Sequence, residues 1–544
     1  MMDFKRQSVY QIYVPSFCDS NGDGIGDING ITSKLEYIKN LGVSYVWLTP
    51  IYVSPMKDNG YDVADYYEIN PQFGSMKDFD NLIAKAKELD LKIMLDMVLN
   101  HTSTEHEWFK KALSGDKEYI DYYIFKDGVE GNPPTNWQSK FGGSAWQLVP
   151  SLNKYYLHLF DVSQADLNWA NPKVRGELYK VVNFWLEKGV KGLRFDVINL
   201  ISKPTVFTDD DIGDGRRFYT DGEHIHEYLK ELNRETFGRF NDVMTVGEMS
   251  STSIENCLKY ASVDGDELHS VFNFHHLKLD YAGGDKWSLA SFDFGAMKKL
   301  FNEWQTSMQA QQSLTALFWS NHDQPRVVSR LGNDQELRYE SATMLATATY
   351  LMYGIPYIYQ GEEIAMPNAN FIDINQYRDV ESINYAKILT QKYSPEYALK
   401  VLAARSRDNA RTPMVWDSKS SESKFWIDFI ANAKAINVEA DMGAEKSVYH
   451  AFAKIMKLRQ DYQVFQSGIY QQQAIDNKHI YAYSRILDKA EAVIISNFFN
   501  EEVSIDYANL KDYQVLFNNY DTINWQGNNI LLKPYQAIVF FKER

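Results

Sequence analysis

The chain has 544 residues, too many for one domain of average size, and its 44% hydrophobic content is enough for a large core. A net charge of −16 disfavours nucleic acid and anionic lipid as partners, so a negatively charged substrate would need a local cluster of basic groups. With two cysteines, Cys18 and Cys257, no disulfide framework or thiolate zinc site is in view; Met1–Tyr10 lacks the parts of a signal peptide and no apolar run would span a membrane, so a cytoplasmic enzyme with no membrane partner is expected.

Short apolar runs predict buried strands at Val9–Tyr13, Tyr45–Leu48, Ile93–Val98, Gly192–Phe195, Met244–Val246, Val271–Phe274, Leu314–Phe318 and Pro356–Tyr359. Between them, apolar residues at three- and four-residue spacing predict helices such as Ser33–Leu41, Met76–Leu89 and Pro172–Lys188. Strands alternating with helices imply a parallel sheet, and eight such units imply a closed (β/α)8 barrel, although periodicity alone also allows seven or nine. The stretch between His101 and Pro172 is rich in aromatics, Gly, Pro and Asn and too long for an ordinary loop, which predicts an inserted lobe. A second long excursion runs from Ile364 to Val438, and strand-like segments after Phe465, among them His479–Arg485 and Ala492–Asn497, predict a C-terminal antiparallel β-sandwich. The expected division is a barrel over 1–101 and 170–462, a lobe over 102–169 and a sandwich over 463–544.

Polar residues at the carboxyl ends of barrel strands are where chemistry is expected. The fourth strand carries Arg194 and Asp196, two residues apart and on one side, so the arginine can keep the aspartate ionised, as a nucleophile requires. Glu248 ends the fifth strand, where burial and like-charge repulsion can hold its proton for use as an acid. Asn321, His322, Asp323 and Arg326 follow the seventh strand, and Asp96, Asn100 and His101 end the third. Glycoside hydrolysis needs two carboxyls, one ionised and one protonated, and a third can stabilise an oxocarbenium-like transition state. The alternative for any one of these acids is a structural ion pair at the barrel mouth.

Near the N-terminus, "DSNGDGIGD" places oxygen donors at alternate positions, Asp19, Asn21, Asp23 and Asp27, with the carbonyl of Ile25 completing the rhythm. Its glycines would let the chain wrap a hard cation, although Gly30 at the twelfth position excludes an EF-hand. A metal-free polar turn is the alternative.

The segments "DMVLNH", "GLRFDVIN", "GEMS" and "FWSNHD" resemble the four sequence regions of the α-amylase family of glycoside hydrolases, and "QADLNW" resembles its oligo-1,6-glucosidase branch. The resemblance runs from Tyr10 to about Trp416. It implies a retaining mechanism in which Asp196 attacks the anomeric carbon, Glu248 is acid and then base, Asp323 stabilises the transition state and Arg194 positions Asp196. It also implies that His101 and His322 bind hydroxyls of the terminal glucose, that Asp58 and Arg411 cap that glucose and that Tyr61 stacks on it; for Arg411 a surface ion pair is the alternative. The loop at Asp19–Asp27 is similar to the branch's calcium loop, which implies a structural calcium ion away from the active site.

Val197 fits branch members that cleave linkages other than α-1,4. "GDGRRFYTDG", "GEMSSTS" and "FNFHHLKLDYAGGDKW" resemble the trehalose-6-phosphate hydrolases, which implies a small phosphorylated disaccharide as substrate. A phosphate on the leaving glucose needs basic residues beyond the scissile bond; Lys286 is the first candidate, then Lys278 and His276, with Arg216 and Arg217 outside them. An oligo-1,6-glucosidase would share every catalytic residue without that basic subsite; a sugar-isomerising relative and a non-catalytic transporter chain are the further alternatives.

Overall fold

A computed structural model describes residues 4–261 and 265–543. Eight strands form a closed parallel barrel: β1 (Val9–Ile12), β2 (Tyr45–Leu48), β3 (Lys92–Met97), β4 (Gly192–Phe195), β5 (Met244–Glu248), β6 (Ser270–Phe272), β7 (Leu314–Leu317) and β8 (Ile355–Tyr359). Each strand hydrogen-bonds to its neighbours in chain order, and β1 closes on β8 with Val9 opposite Tyr357. Strands buried on both faces read as unbroken apolar runs, which is why these segments stand out without alternation. Helices pack outside; Pro172–Glu187 starts with Pro at its first turn and an Asn171 cap, and Met76–Glu88 starts with a Ser75–Asp78 capping box.

Register decides which residues reach the mouth. Arg194 lies opposite Asp96 on β3 and Val246 on β5, so residues at the carboxyl ends of β3, β4 and β5 share one level. Between β3 and β4 the chain leaves the barrel. His101–Ser103 pairs with Gln164–Asp166, and Phe125–Lys126, Trp146–Val149 and Lys154–Leu157 form a three-stranded antiparallel sheet. Trp137, Trp146 and Tyr219 join Val197 and Leu200 in a separate apolar cluster that fixes this lobe to the segment after β4.

The long excursion after β8 is helical, with Val380–Lys392, Pro395–Arg405 and the short Asp408–Arg411. The helix Val448–Asp461 leads into the C-terminal unit, where a five-stranded antiparallel sheet faces a three-stranded one across Ile480, Val493, Ile530 and Phe540. Buried Arg459 and Arg485 donate to carbonyls of residues 350–354 and 465–468, joining that unit to the barrel. Among the described residues no helix is long and apolar enough to cross a membrane. Cys18 and Cys257 are free thiols.

Candidate active site

A cavity of about 270 Å³ opens at the carboxyl ends of the barrel strands, lined by Asp58, His101, Asp196, Glu248, Lys278 and Asp323, among others. Arg194 lies beneath it, fully buried. One of its nitrogens stands 2.7 Å from Asp96 and 2.6 Å from Asp196, and the other is 2.7 Å from Glu248. The guanidinium thus holds carboxyls from three strands. Asp196 and Glu248 therefore lie side by side on the two nitrogens of one guanidinium fork.

Burial raises the pKa of Glu248 to about 7, with the negative charges of Asp196 and Asp323 adding to it and Arg194 opposing. Asp196 is raised to about 7 by the same burial, with Arg194 opposing and the charge of Asp96 adding to it. The two carboxyls therefore titrate as a pair and hold about one proton between them near neutrality. Glu248 also accepts the N–H of Val197 at 3.0 Å. Val197 holds φ +35° and ψ +39°, a strained backbone for a β-branched residue, and this turn aims its N–H at the acid.

Asp323 behaves in the opposite way. Burial opposes its charge, but His322, Arg407 and Arg411 hold its carboxyl far below the usual carboxylate range. Arg411 is 2.9 Å and Arg407 3.1 Å from the same oxygen. His322 is fixed between Gln11 at 2.8 Å and the Tyr61 hydroxyl at 2.7 Å, and burial lowers its pKa to about 3, so it is neutral. Tyr61 stacks on that ring at 5.2 Å and donates to Asp96 at 2.9 Å. His101 lies 3.1 Å from the Tyr61 carbonyl and 3.2 Å from Gln164, and burial lowers its pKa to about 4.

The cap expected from Asp58 and Arg411 is built differently. Asp58 pairs with Arg407 at 3.3 Å, and it is Arg407 that lines the cavity. Arg411, 1% exposed, lies behind it, bound to Asp323, Asp379 and the carbonyl of His322; it is neither a surface ion pair nor a wall of the cleft. Arg407 stands at the N-cap of the short helix with helical backbone angles and Arg411 ends it four residues on, so the two share one face, with Arg407 a turn nearer the opening. "RDNAR" contains both, and spacing alone could not choose between them.

The basic candidates also separate. Lys278 and Lys286 line the cavity. Lys286 pairs with Glu381 at 2.5 Å, and Glu381 in turn stands 3.5 Å from Arg407. His276 does not reach the cleft: its ring lies 2.8 Å from the carbonyl of Phe318, lines a different small cavity with Trp304, and burial lowers its pKa to about 3. In the 3-10 turn His275–Lys278, residues 276 and 278 point to different sides. Arg216 pairs with Asp214 at 2.6 Å and Arg217 with Asp210 at 2.9 Å. Three residues that sequence reading passed over belong to the site: Gln164, which donates to Asp58 at 3.0 Å; Asp379, which stands 2.5 Å from Arg407; and Lys140, which reaches the cleft from the inserted lobe.

In the loop at Asp19–Asp27, Asp19 accepts the N–H groups of Asn21, Gly22 and Gly24 at 2.7–3.0 Å, and Asp23 accepts that of Ile25 at 2.9 Å. Asp27 accepts from Ser20 at 2.8 Å and caps the next helix. Positive φ at Gly22 and Gly24 closes the wrap. Among the described residues no three His, Cys, Asp or Glu side chains are grouped as a metal site. The loop's donors are instead mixed: carboxylates, one amide and a carbonyl. Their oxygen chemistry fits a hard cation.

The profile for the alpha amylase catalytic domain matches residues 11–468, and that for the alpha-amylase SusG C-terminal domain matches 480–539. The chain is 48% identical to trehalose-6-phosphate hydrolase from Bacillus subtilis, over 99% of this chain and 98% of that one. It is 43% identical to oligo-1,6-glucosidase from Bacillus cereus over 99% of both. The crystal structure of trehalose-6-phosphate hydrolase from Bacillus licheniformis superposes with a TM-score of 0.95 at 48% identity, over 99% of this chain and all of that one.

Proposed function

Because the chain belongs to the α-amylase family of glycoside hydrolases, we propose that it hydrolyses trehalose 6-phosphate, with retention, to glucose and glucose 6-phosphate. In this reading the glucose bearing the scissile bond sits at the closed end, between Asp58, His101, His322 and Arg407. The Asp196 carboxylate attacks its anomeric carbon, and Glu248 gives its proton to the bridging oxygen as that bond breaks. Glucose 6-phosphate leaves. Glu248, now a carboxylate, takes a proton from water as the water attacks the glucosyl ester and frees Asp196. Asp323, held ionised by Arg407 and Arg411, faces the positive charge that develops on the ring.

The observation that carries the substrate is the pair Lys278 and Lys286 on the wall of a cleft in an otherwise acidic protein. Both would meet a phosphate on the leaving glucose, Lys286 sharing its charge with Glu381. A sugar phosphate does not cross membranes unaided, and with Cys18 and Cys257 as free thiols this supports a cytoplasmic site of action. We also propose that Asp19, Asn21, Asp23, the Ile25 carbonyl and Asp27 hold a calcium ion that stiffens their loop and takes no part in turnover.

The test is to offer the purified protein trehalose 6-phosphate, trehalose and isomaltose at equal low concentration and to assay glucose and glucose 6-phosphate. Preference for the first, with one of each product per turnover, is expected. Preference for isomaltose would move the function to the oligo-1,6-glucosidases, to one of which the chain is 43% identical, and leave the catalytic residues unchanged.

A further inference from the structure

Lys140 comes from the inserted lobe, far in sequence from every barrel strand that lines the cleft. Its backbone is pinned: its own N–H donates to Leu159, the N–H of Gln138 donates to the carbonyl of Asp214, and the hydroxyl of Ser139 donates to Phe160 at 2.6 Å. From this frame the side chain crosses to the end of β5, where its ammonium donates to the Ser250 hydroxyl at 2.8 Å. Ser250 is fixed in turn by two hydrogen bonds with Asn199. No carboxylate among the described residues makes an ion pair with Lys140 or with Lys278. An ammonium drawn into a cleft without a counter-ion is costly, and here the half-buried Lys140 shares one wall with the more exposed Lys278.

We propose that Lys140 is a substrate-binding, specificity-determining residue that contacts the phosphate of the leaving glucose directly, completing a cationic cradle with Lys278. The proposal rests on the phosphorylated-substrate reading above. Three N–H donors point from an ammonium, and Ser250 takes one, which leaves two for an anion in the cleft. The charged and titratable groups around it come from every side: Glu248 from β5, Lys278 from the 3-10 turn, and Arg216, Asp214 and Tyr219 from the segment after β4; the ring of Phe160 from the lobe lies 5.9 Å from the ammonium. The opposing cations dominate. Burial, with Arg216 and Lys278 pressing in the same direction, lowers the Lys140 pKa to about 7. The empty site therefore sheds part of this charge near neutrality, and an arriving phosphate dianion restores it by proton uptake. A neutral disaccharide brings no such compensation, so the same group that binds the phosphorylated sugar leaves the unphosphorylated one without a partner at that position.

The experiment compares wild type, Lys140→Met and Lys140→Arg on trehalose 6-phosphate and on p-nitrophenyl α-D-glucopyranoside, reading the ratio of the two kcat/KM values from pH 6 to pH 9. In Lys140→Met this ratio is expected to fall about tenfold or more, through KM for the phosphorylated sugar, since a hydrogen bond to a charged group is lost. Lys140→Arg is expected to keep most of the ratio. Wild-type KM for the phosphorylated sugar should rise above about pH 7–8 as the ammonium loses its proton, and Lys140→Arg should lack that rise. A parallel fall on both substrates in Lys140→Met would overturn the proposal and make Lys140 a strut of the lobe. If wild type itself shows no preference for the phosphorylated sugar, the substrate reading falls and this proposal with it; a preference that survives in Lys140→Met removes only the proposal.

Discussion

Replacing Arg407 by Met tests which arginine serves the cleft. The guanidinium stands 2.5 Å from Asp379, 3.1 Å from Asp323, 3.3 Å from Asp58 and 3.5 Å from Glu381. In the variant Asp323 and Asp379 keep Arg411, and Glu381 keeps Lys286. Asp58 keeps only the hydrogen bond from Gln164. Stranding a charge from a buried pair costs about 3–5 kcal/mol. Burial lifts the Asp58 pKa to about 7 even with Arg407 opposing, and without that arginine it rises further, so the orphaned group goes neutral up to and past neutrality and avoids much of the cost there. A carboxyl whose folded pKa is raised contributes stability at low pH and loses it as pH rises. The expected loss is therefore about 3 kcal/mol at pH 9, where the carboxyl is forced to ionise, and clearly less at pH 6, read as the change in unfolding free energy in urea at the two pH values. In kinetics, KM for the glucoside should rise at least about tenfold, because Arg407 lines the end of the cavity that the proposed reading gives to the terminal glucose. Arg411→Met should instead lower kcat, acting through Asp323. An unchanged KM in Arg407→Met together with a raised KM in Arg411→Met would refute this placement.

Asp196→Ala and Glu248→Ala should each remove most turnover without unfolding the protein. For Glu248→Ala the loss is about 10²–10⁴-fold on a natural disaccharide, and smaller for release of p-nitrophenol, a leaving group that needs no proton; full activity in either variant, by product assay, would refute the assignment. The alkaline limb of kcat/KM should be centred near pH 7, where Glu248 loses its proton, and fall about tenfold per pH unit beyond it, whereas a flat profile to pH 9 would mean that another group is the acid. Chelation by EDTA should lower the thermal midpoint, and added calcium should restore it, while kcat at 25 °C stays unchanged; a midpoint indifferent to both would leave Asp19–Asp27 a polar turn.

Chain-local chemistry made much of the site legible. Parallel strands buried on both faces leave apolar runs that need no partner to be seen, and the acid at the end of a run marks the barrel mouth, as with Asp196 after Gly192–Phe195. The two-residue step from Arg194 to Asp196 is likewise a property of one strand, and both side chains meet as expected. What escaped was set by approach between distant segments. Lys140 reaches Ser250 across 110 positions, and nothing near either residue in the chain signals the contact. His276 and Lys278 belong to one four-residue turn, yet packing against Phe318 turns one inward and leaves the other on the cleft. Arg407 and Arg411 carry the same charge on one helical face, and only the depth at which that helix docks behind Asp323 gives one to the cavity and the other to the core. Residue type and local period determined the barrel and the carboxyls at its mouth; burial and the partner across the gap, which exist only once the chain has closed, decided which cations face the cleft.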